Sequence, residues 1–451
     1  MPDENAAKLT RGPILPAIFK MAVPMVFALV SMLLFNLTDT YFVAQLGKNQ
    51  LAALTFTFPV VLFFVSLALG IGTGTSALVS RAIGEGNREK VQRFTTDSLI
   101  LIFIISLFVV SLGLVTIEPL FSFFGAEGQI LAYVKEYMVI WYIGVIFVMI
   151  PMVGNNAIRA TGDTKTPSLI MGVAVVVNVI LDPIFIFGWG PVPAMGIKGA
   201  AWATLISRAT TLVAALHILG SREKMISYKL PALKIMFNSF TQVLKIGIPT
   251  ALTRILFPIG TGVITKMVAV HGVAAVAAFG IGTRIEALAI APLMALSSVV
   301  GPFVGQNAGA NSYSRIKTAV KGSNKFVFLY GFILWGIISL FAEQLITIFN
   351  KEAEVIEIGK YYLWISTSAL AFIGLHMLSA TVLNVLRRPV KSGVISITQM
   401  FVLYIPLAWL LADYSGLHGI FWAGVISYLI VSYIATLITF KEIKIQRDIY
   451  E

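Results

Sequence analysis

Twelve apolar stretches, most of about 20 residues or longer, recur along the chain and are separated by short polar breaks. This one feature constrains the fold most. In lipid every backbone N–H and C=O must be satisfied within the protein, so only helices and closed barrels can span a bilayer. The stretches lie at about 16–43, 51–79, 94–117, 131–157, 167–189, 196–219, 240–269, 274–304, 323–348, 358–385, 390–412 and 417–440. A helix needs roughly 20 residues to cross about 30 Å of hydrocarbon. Barrel strands would be about 10 residues with alternating polarity, which these runs are not. Charged residues make up only 12% of the chain, against about 25% in a soluble domain. The expectation is an all-α integral membrane protein of twelve transmembrane helices.

The formal net charge of +12 is placed as membrane topology requires. Basic residues cluster in the N-terminal tail (Lys8, Arg11, Lys20), in alternate connections (for example Arg81, Arg88, Lys90 and Arg93, or Arg387, Arg388 and Lys391) and in the C-terminal tail (Lys441, Lys444, Arg447). The opposite connections hold little beyond Lys48, Lys198 and Lys351. The positive-inside rule then puts both termini in the cytoplasm of a multi-pass inner-membrane protein. It also makes the charge an orientation signal, so no nucleic-acid partner is expected. There are no cysteines, which removes disulfides, thiolate nucleophiles and thiolate metal sites. The acidic, polar start MPDENAAKLT is not a cleavable signal peptide.

The chain repeats itself. FKMAVPMV (Phe19 to Val26) returns as LKIGIPTA (Leu244 to Ala251), SRAIGEGN (Ser80 to Asn87) as GQNAGANS (Gly305 to Ser312), and GIKGAAWATLIS (Gly196 to Ser207) as GLHGIFWAGVIS (Gly416 to Ser427). Each half holds an even number of spans, so the copies enter the membrane in the same direction and are parallel repeats. The expected organisation is two pseudo-symmetric six-helix lobes, residues 1–219 and 240–451, joined by a cytoplasmic linker at 220–239.

A few ionisable groups interrupt the apolar spans, and such groups are costly enough to be functional by default. At 1.5 Å per residue, Asp39 stands roughly 28 Å from Lys20 and Asp182 roughly 22 Å from Pro167, so the two carboxylates share a level in the outer half of the bilayer. Asn178 lies four residues before Asp182, on the same helix face. Thr204 is about 12 Å below the outer entrance near Gly196 and reaches that level too. Asp39, Asn178, Asp182 and Thr204 together offer oxygen ligands to a small cation, or carboxylates that can carry a proton. The alternative is local: Asp182 precedes Pro183 and could form a turn, and Asp39 sits in a polar NLTDT segment that includes Asn36. In the second half, Arg254, Arg284 and Glu286 lie nearer mid-depth. Arg284 and Glu286 are two apart and cannot face each other on a helix, so Glu286 is expected to pair with Arg254, or these charges form part of a substrate-binding wall. Arg208 is ambiguous in the same way. The histidines show no metal-ligand spacing.

The segments NLTDTYFVAQLGKNQLAALTFTFPV, GNNAIRATGDTKTP, NVILDPIFIFG and MGIKGAAWATLIS, in this order, resemble the multidrug and toxic compound extrusion (MATE) transporters across essentially the whole chain. Within that family the chain is most similar to the prokaryotic branch named for DNA-damage-inducible protein F. The resemblance implies a secondary active antiporter that exports amphipathic, often cationic compounds in exchange for protons or sodium ions. It also implies that coupling resides in the N-terminal lobe, at Asp39, Asn178, Asp182 and Thr204, with Asn155 as a further family position; Asn36, in the same segment as Asp39, is counted among the coupling candidates. Phe35 stands where the branch has a tyrosine, and span 10 has none of the acidic residues of the other large branch. No cofactor and no metal are expected, other than a sodium ion at Asp39, Asn178, Asp182 and Thr204. The expected partners are small amphipathic substrates and the lipid bilayer, with the protein a monomer. No nucleophile with a base and no phosphate-cradling loop points to an enzyme. The rival reading is a flippase of a lipid-linked precursor from the same wider superfamily.

Overall fold

The computed structural model describes residues 7–229 and 232–451. It is almost wholly helical. Six long helices come first: α1 (Ile14–Ala44), α2 (Lys48–Gly84), α3 (Arg88–Phe123), α4 (Gly128–Ala160), α5 (Lys165–Phe187) and α6 (Ile197–His217). Then come α7 (Leu233–Ala269), α8 (Val273–Gly309), α9 (Tyr313–Leu340), a short α10 (Ala342–Thr347), α11 (Ala353–Ser366), α12 (Leu370–Val385), α13 (Pro389–Ile397) and α14 (Ile405–Tyr450).

Three of the expected spans are less regular than their hydropathy suggests. The tenth is made of α11 and α12, joined by a 3₁₀ turn at Thr367–Ala369. The last two form one helical run from Pro389 to Tyr450, so eleven continuous stretches among the described residues are long and apolar enough to cross a membrane. That run is broken inside α14 at Ser415 and Gly416, where Gly416 takes φ 57° and ψ −133°. Only glycine adopts this backbone cheaply, and the break divides the run into the eleventh and twelfth spans.

The backbone repeats as the sequence does. Gly196, ahead of α6, has φ 57° and ψ −132°, the same conformation as Gly416 at the corresponding place. Three residues on, a Cβ on Gly199 would run into the Phe185 carbonyl, and one on Gly419 into that of Leu411. Both glycines are therefore required by close backbone approach. Helices α2 and α8 are each 37 residues long and each follow a glycine of positive φ, Gly47 and Gly272.

Two compact units are present: Val23–Ala251, and Leu252–Glu451 together with Met1–Ala22. Their borders fall inside α1 and α7, close to Pro24 and Pro249. The expected linker 220–239, of which residues 230 and 231 lie outside the described residues, belongs to the first unit. There the backbone N–H of Ser227 donates to Thr96 Oγ1 (2.8 Å), and Gln92 Nε2 donates to the Lys224 carbonyl (2.9 Å), both on α3. In the first unit α4 is central, packing on α2, α3 and α6, while α5 packs on α6. In the second, α8 packs on α9, α11 and α12, and α12 on α14. The N-terminal turn is held to this unit by Leu9, whose N–H donates to Gln306 Oε1 and whose carbonyl accepts from Asn307 Nδ2, both at 3.1 Å.

One pin recurs with its charges reversed. In the first unit Asp163, in the loop before α5, accepts from Arg222 beyond the end of α6. Burial alone would raise the Asp163 carboxyl, but hydrogen bonds from Thr166 and the Arg222 guanidinium hold it below the usual carboxylate range. In the second unit Arg388, in the equivalent loop, donates to Glu442 near the end of α14 (3.0 Å), and Lys391 joins it. Asp163 and Arg222 are partly exposed, so the pair contributes about 0.2–1 kcal/mol. Asp163→Arg should lower the thermal unfolding midpoint of detergent-solubilised protein, and adding Arg222→Asp should restore most of the loss. An unchanged midpoint for the single reversal, or no recovery in the double, would show that the pin does not contribute.

The glycine contacts generate a second expectation. Gly199→Val and Gly419→Val should each destabilise by about 1–3 kcal/mol or more, because the obstruction is backbone and cannot move aside. Gly336→Val, with nothing within 4 Å of its Cβ position, should be close to neutral in the same assay.

Candidate functional site

Within the unit Val23–Ala251, α1, α4, α5 and α6 bring a polar cluster together inside otherwise apolar spans. Asp39 is 9% exposed, and Asn178 and Asp182 are completely buried. Asn178 and Asp182 face the same way because they are one helical turn apart, and Asn178 Nδ2 donates to Asp182 Oδ1 at 3.0 Å. Asp39 and Asp182 lie within electrostatic reach of each other, and Tyr137 of α4 lies within reach of both. Thr204 is on α6, and Arg208 follows one turn later on the same helix. The Arg208 guanidinium interacts with Asp39 and lies 4.3 Å from the centre of the Phe35 ring.

The cluster leaves several of its oxygens unpaired. Asp39 Oδ1, Asn178 Oδ1, Asp182 Oδ2 and Thr204 Oγ1 are all buried without a protein hydrogen-bond partner. Leaving such a group unsatisfied costs about 1–3 kcal/mol, and more for a charged one. Against two carboxylates stands one guanidinium, Arg208. A proton, or a single monovalent cation taking oxygen ligands, would relieve the imbalance. The donor set is all oxygen, as a hard cation prefers, although among the described residues no group of three or more His, Cys, Asp or Glu side chains could hold a metal ion.

Two expected members do not join the cluster. Asn155 is buried with its Oδ1 unpartnered, but it lies eighteen positions along α4 from Tyr137, roughly 27 Å along the axis. Asn36 is exposed, and its carbonyl accepts from Thr40 Oγ1 at 2.8 Å. Tyr137 is the group that sequence reasoning missed; nothing in KEYMVIWYIG distinguishes it from the other aromatic residues of that span. Phe35, which the resemblance singled out, presents its ring to the Arg208 guanidinium.

In the unit Leu252–Glu451, the ion pair expected between Glu286 and Arg254 is not formed. Glu286 instead accepts from the Tyr362 hydroxyl at 2.6 Å, and Tyr404 and Tyr428 are within its electrostatic reach. Arg254 and Arg284 are exposed on their helices. Helical spacing shows which residues share a face of α8. It does not show how α7 is rotated about its own axis, and the pairing depended on that rotation.

Comparison with known proteins agrees with this architecture. The MatE family pattern matches residues 24–184 and 249–410, once in each half of the chain. A FAD transporter of Shewanella oneidensis is 37% identical over 423 residues, covering 94% of each chain. A probable multidrug resistance protein, NorM of Thermotoga maritima, is 25% identical over 92% of this chain and 89% of its own. Among solved structures, the Vibrio cholerae MATE transporter VcmN in its bent form superimposes with a TM-score of 0.92 at 29% identity, covering 99% of this chain and 100% of that one. The chain therefore belongs to the MatE family of membrane transporters.

Proposed function

We propose that the protein is a secondary active exporter of amphipathic, often cationic small molecules, driven by inward movement of protons or sodium ions through the cluster of Asp39, Asn178, Asp182 and Thr204. The observation that carries this reading is the set of four buried oxygens without partners, gathered from α1, α5 and α6 in one unit. Occupation of the cluster by a proton or cation removes the mismatch between acceptors and donors. Its release restores the mismatch, so the site has a reason to exist in two arrangements. Pro24, inside α1, frees a backbone carbonyl one turn earlier and gives that helix a place to bend. The Arg208 guanidinium, within electrostatic reach of Asp39, offsets part of the cluster's negative charge in the empty state.

In this scheme the functional halves are the lobes 1–219 and 240–451, both termini are cytoplasmic, and the transporter works as a monomer. The positive-inside distribution of Lys and Arg supports the orientation. The order of motifs supports the branch named for DNA-damage-inducible protein F. The relatives named as multidrug resistance proteins support drug-like substrates. A second reading is favoured by a specific observation: the 37% identical relative is a FAD transporter, so an aromatic dinucleotide is a candidate substrate of this chain.

The test uses purified protein in proteoliposomes, with ethidium and FAD as separate substrates and with pH and sodium gradients imposed one at a time. Parent protein should move at least one of these against its gradient. Asp39→Asn and Asp182→Asn should insert normally and reduce gradient-driven transport to background. Transport by Asp39→Asn at the parental rate would remove the cluster from the coupling mechanism.

A further inference from the structure

Helix α9 begins and α14 ends at the same end of the unit Leu252–Glu451. The Tyr313 hydroxyl donates to Gln446 Oε1 at 3.1 Å, and the Tyr313 and Tyr450 rings stack with centroids 6.1 Å apart. Next to these contacts the two helices leave a hollow of about 550 Å³, lined by Lys317 of α9 and by Phe440, Lys441, Ile443, Lys444 and Arg447 of α14. Arg447 is held by Asp448 at 3.0 Å. Among the described residues no ion pair reaches Lys317, Lys441 or Lys444, and the nearby carboxylates are engaged elsewhere. The buried Glu442 accepts from Arg388 and Lys391, and Glu451 accepts from the backbone N–H and the hydroxyl of Ser314. Three ammonium groups around one hollow repel each other unless an anion sits among them.

The first unit has no such opening, because the chain fills the corresponding place itself. By the register of the repeat, Lys317 and Lys321 stand where the first unit has Gln92 and Thr96, and Lys444 stands where it has Lys224. There the segment beyond α6 lies back on α3: Gln92 donates to the Lys224 carbonyl, and Thr96 accepts from the Ser227 N–H. In the second unit α14 continues as a helix to Tyr450. The place stays open, and lysines replace the two side chains that hold the segment in the first unit.

The helix faces that lead away from the hollow select the kind of anion. On α9, Lys317, Lys321 and Lys325 are followed at the same spacing by Leu329 and Ile333, 56% and 53% exposed. On α14, Lys444 and Lys441 lead back along one face to Leu437 and Tyr433, 53% and 66% exposed. Both exposed faces therefore change from basic to apolar in the same direction. We propose that the hollow binds the headgroup of an anionic phospholipid, its phosphate among Lys317, Lys441 and Lys444 and its acyl chains along the apolar parts of α9 and α14. Basic pockets between spans recognise such headgroups, and lysines at helix ends reach the headgroup layer while their stems stay on apolar surface. A free phosphate would use the lysines alone, whereas a phospholipid uses both halves of each face.

Native mass spectrometry tests this on the full-length protein, released from mixed micelles of phosphatidylglycerol and phosphatidylcholine with identical acyl chains. The parent should retain phosphatidylglycerol in preference. Lys317→Gln, Lys441→Gln and Lys444→Gln together should cut that preference by about tenfold or more. Arginine at the same three positions should preserve it, which separates charge from packing. Lys229→Gln, Lys234→Gln and Lys245→Gln remove equal charge from exposed positions of the first unit and should leave the preference at the parental value. An unchanged preference in the first glutamine triple would overturn the site. Equal losses in the two triples would overturn it too, because net charge alone would then recruit the lipid. If glycerol 3-phosphate, which has no acyl chains, binds the parent as tightly as phosphatidylglycerol does, the apolar faces contribute nothing and the lipid assignment fails.

Discussion

A carboxylate held inside a bilayer must be compensated, and the rest of this structure is arranged around that requirement. Asp39 and Asp182 are placed where water cannot solvate them freely, on helices that must be long and apolar to cross the membrane at all. One guanidinium, one phenol, one carboxamide and one hydroxyl lie in the cluster, yet four of its oxygens are left without a hydrogen-bond partner. In the proposed scheme this is what lets the cluster respond to a mobile positive charge. A fully satisfied network would be more stable and would have no reason to respond.

The helices supply the geometry for this imbalance. The repeat places the same glycine conformations at Gly196 and Gly416 and the same close approach at Gly199 and Gly419. The two units share a backbone design but differ in polar content. The first carries two aspartates at one level, and the second carries Glu286 among tyrosines. The loop pins show the same divergence, Asp163 with Arg222 in one unit and Arg388 with Glu442 in the other. Duplication kept positions that backbone contact requires and let chemistry change where side chains alone decide.

Much of this is legible in the sequence because it depends on local periodicity. Apolar length marks the spans, an i,i+4 spacing puts Asn178 beside Asp182, and a count of 1.5 Å per residue brings Asp39 and Asp182 to one level. What depends on how one helix is rotated against another is not legible. The pairing of Glu286 with Arg254 fails for that reason, and Tyr137 is one ordinary aromatic residue in an apolar span until the packing of α4 brings it within reach of both aspartates. Asn36 stays exposed although it is only three positions from Asp39, because three residues are enough to leave the buried edge of α1. The break at Ser415 and Gly416 shows up in the sequence only through its likeness to Gly196.

The central claim is that the coupling ion and the substrate act on one another through the Asp39 and Asp182 cluster, and thermodynamic linkage makes the claim measurable at equilibrium. The measurement is the affinity of purified protein for ethidium across a grid of pH and sodium concentration, for the parent and for Asp182→Asn. The account predicts that the parent's affinity falls as either proton or sodium activity rises and that the variant loses this dependence while still binding ethidium. An Asp182→Asn protein whose affinity follows pH and sodium as the parent's does would contradict it.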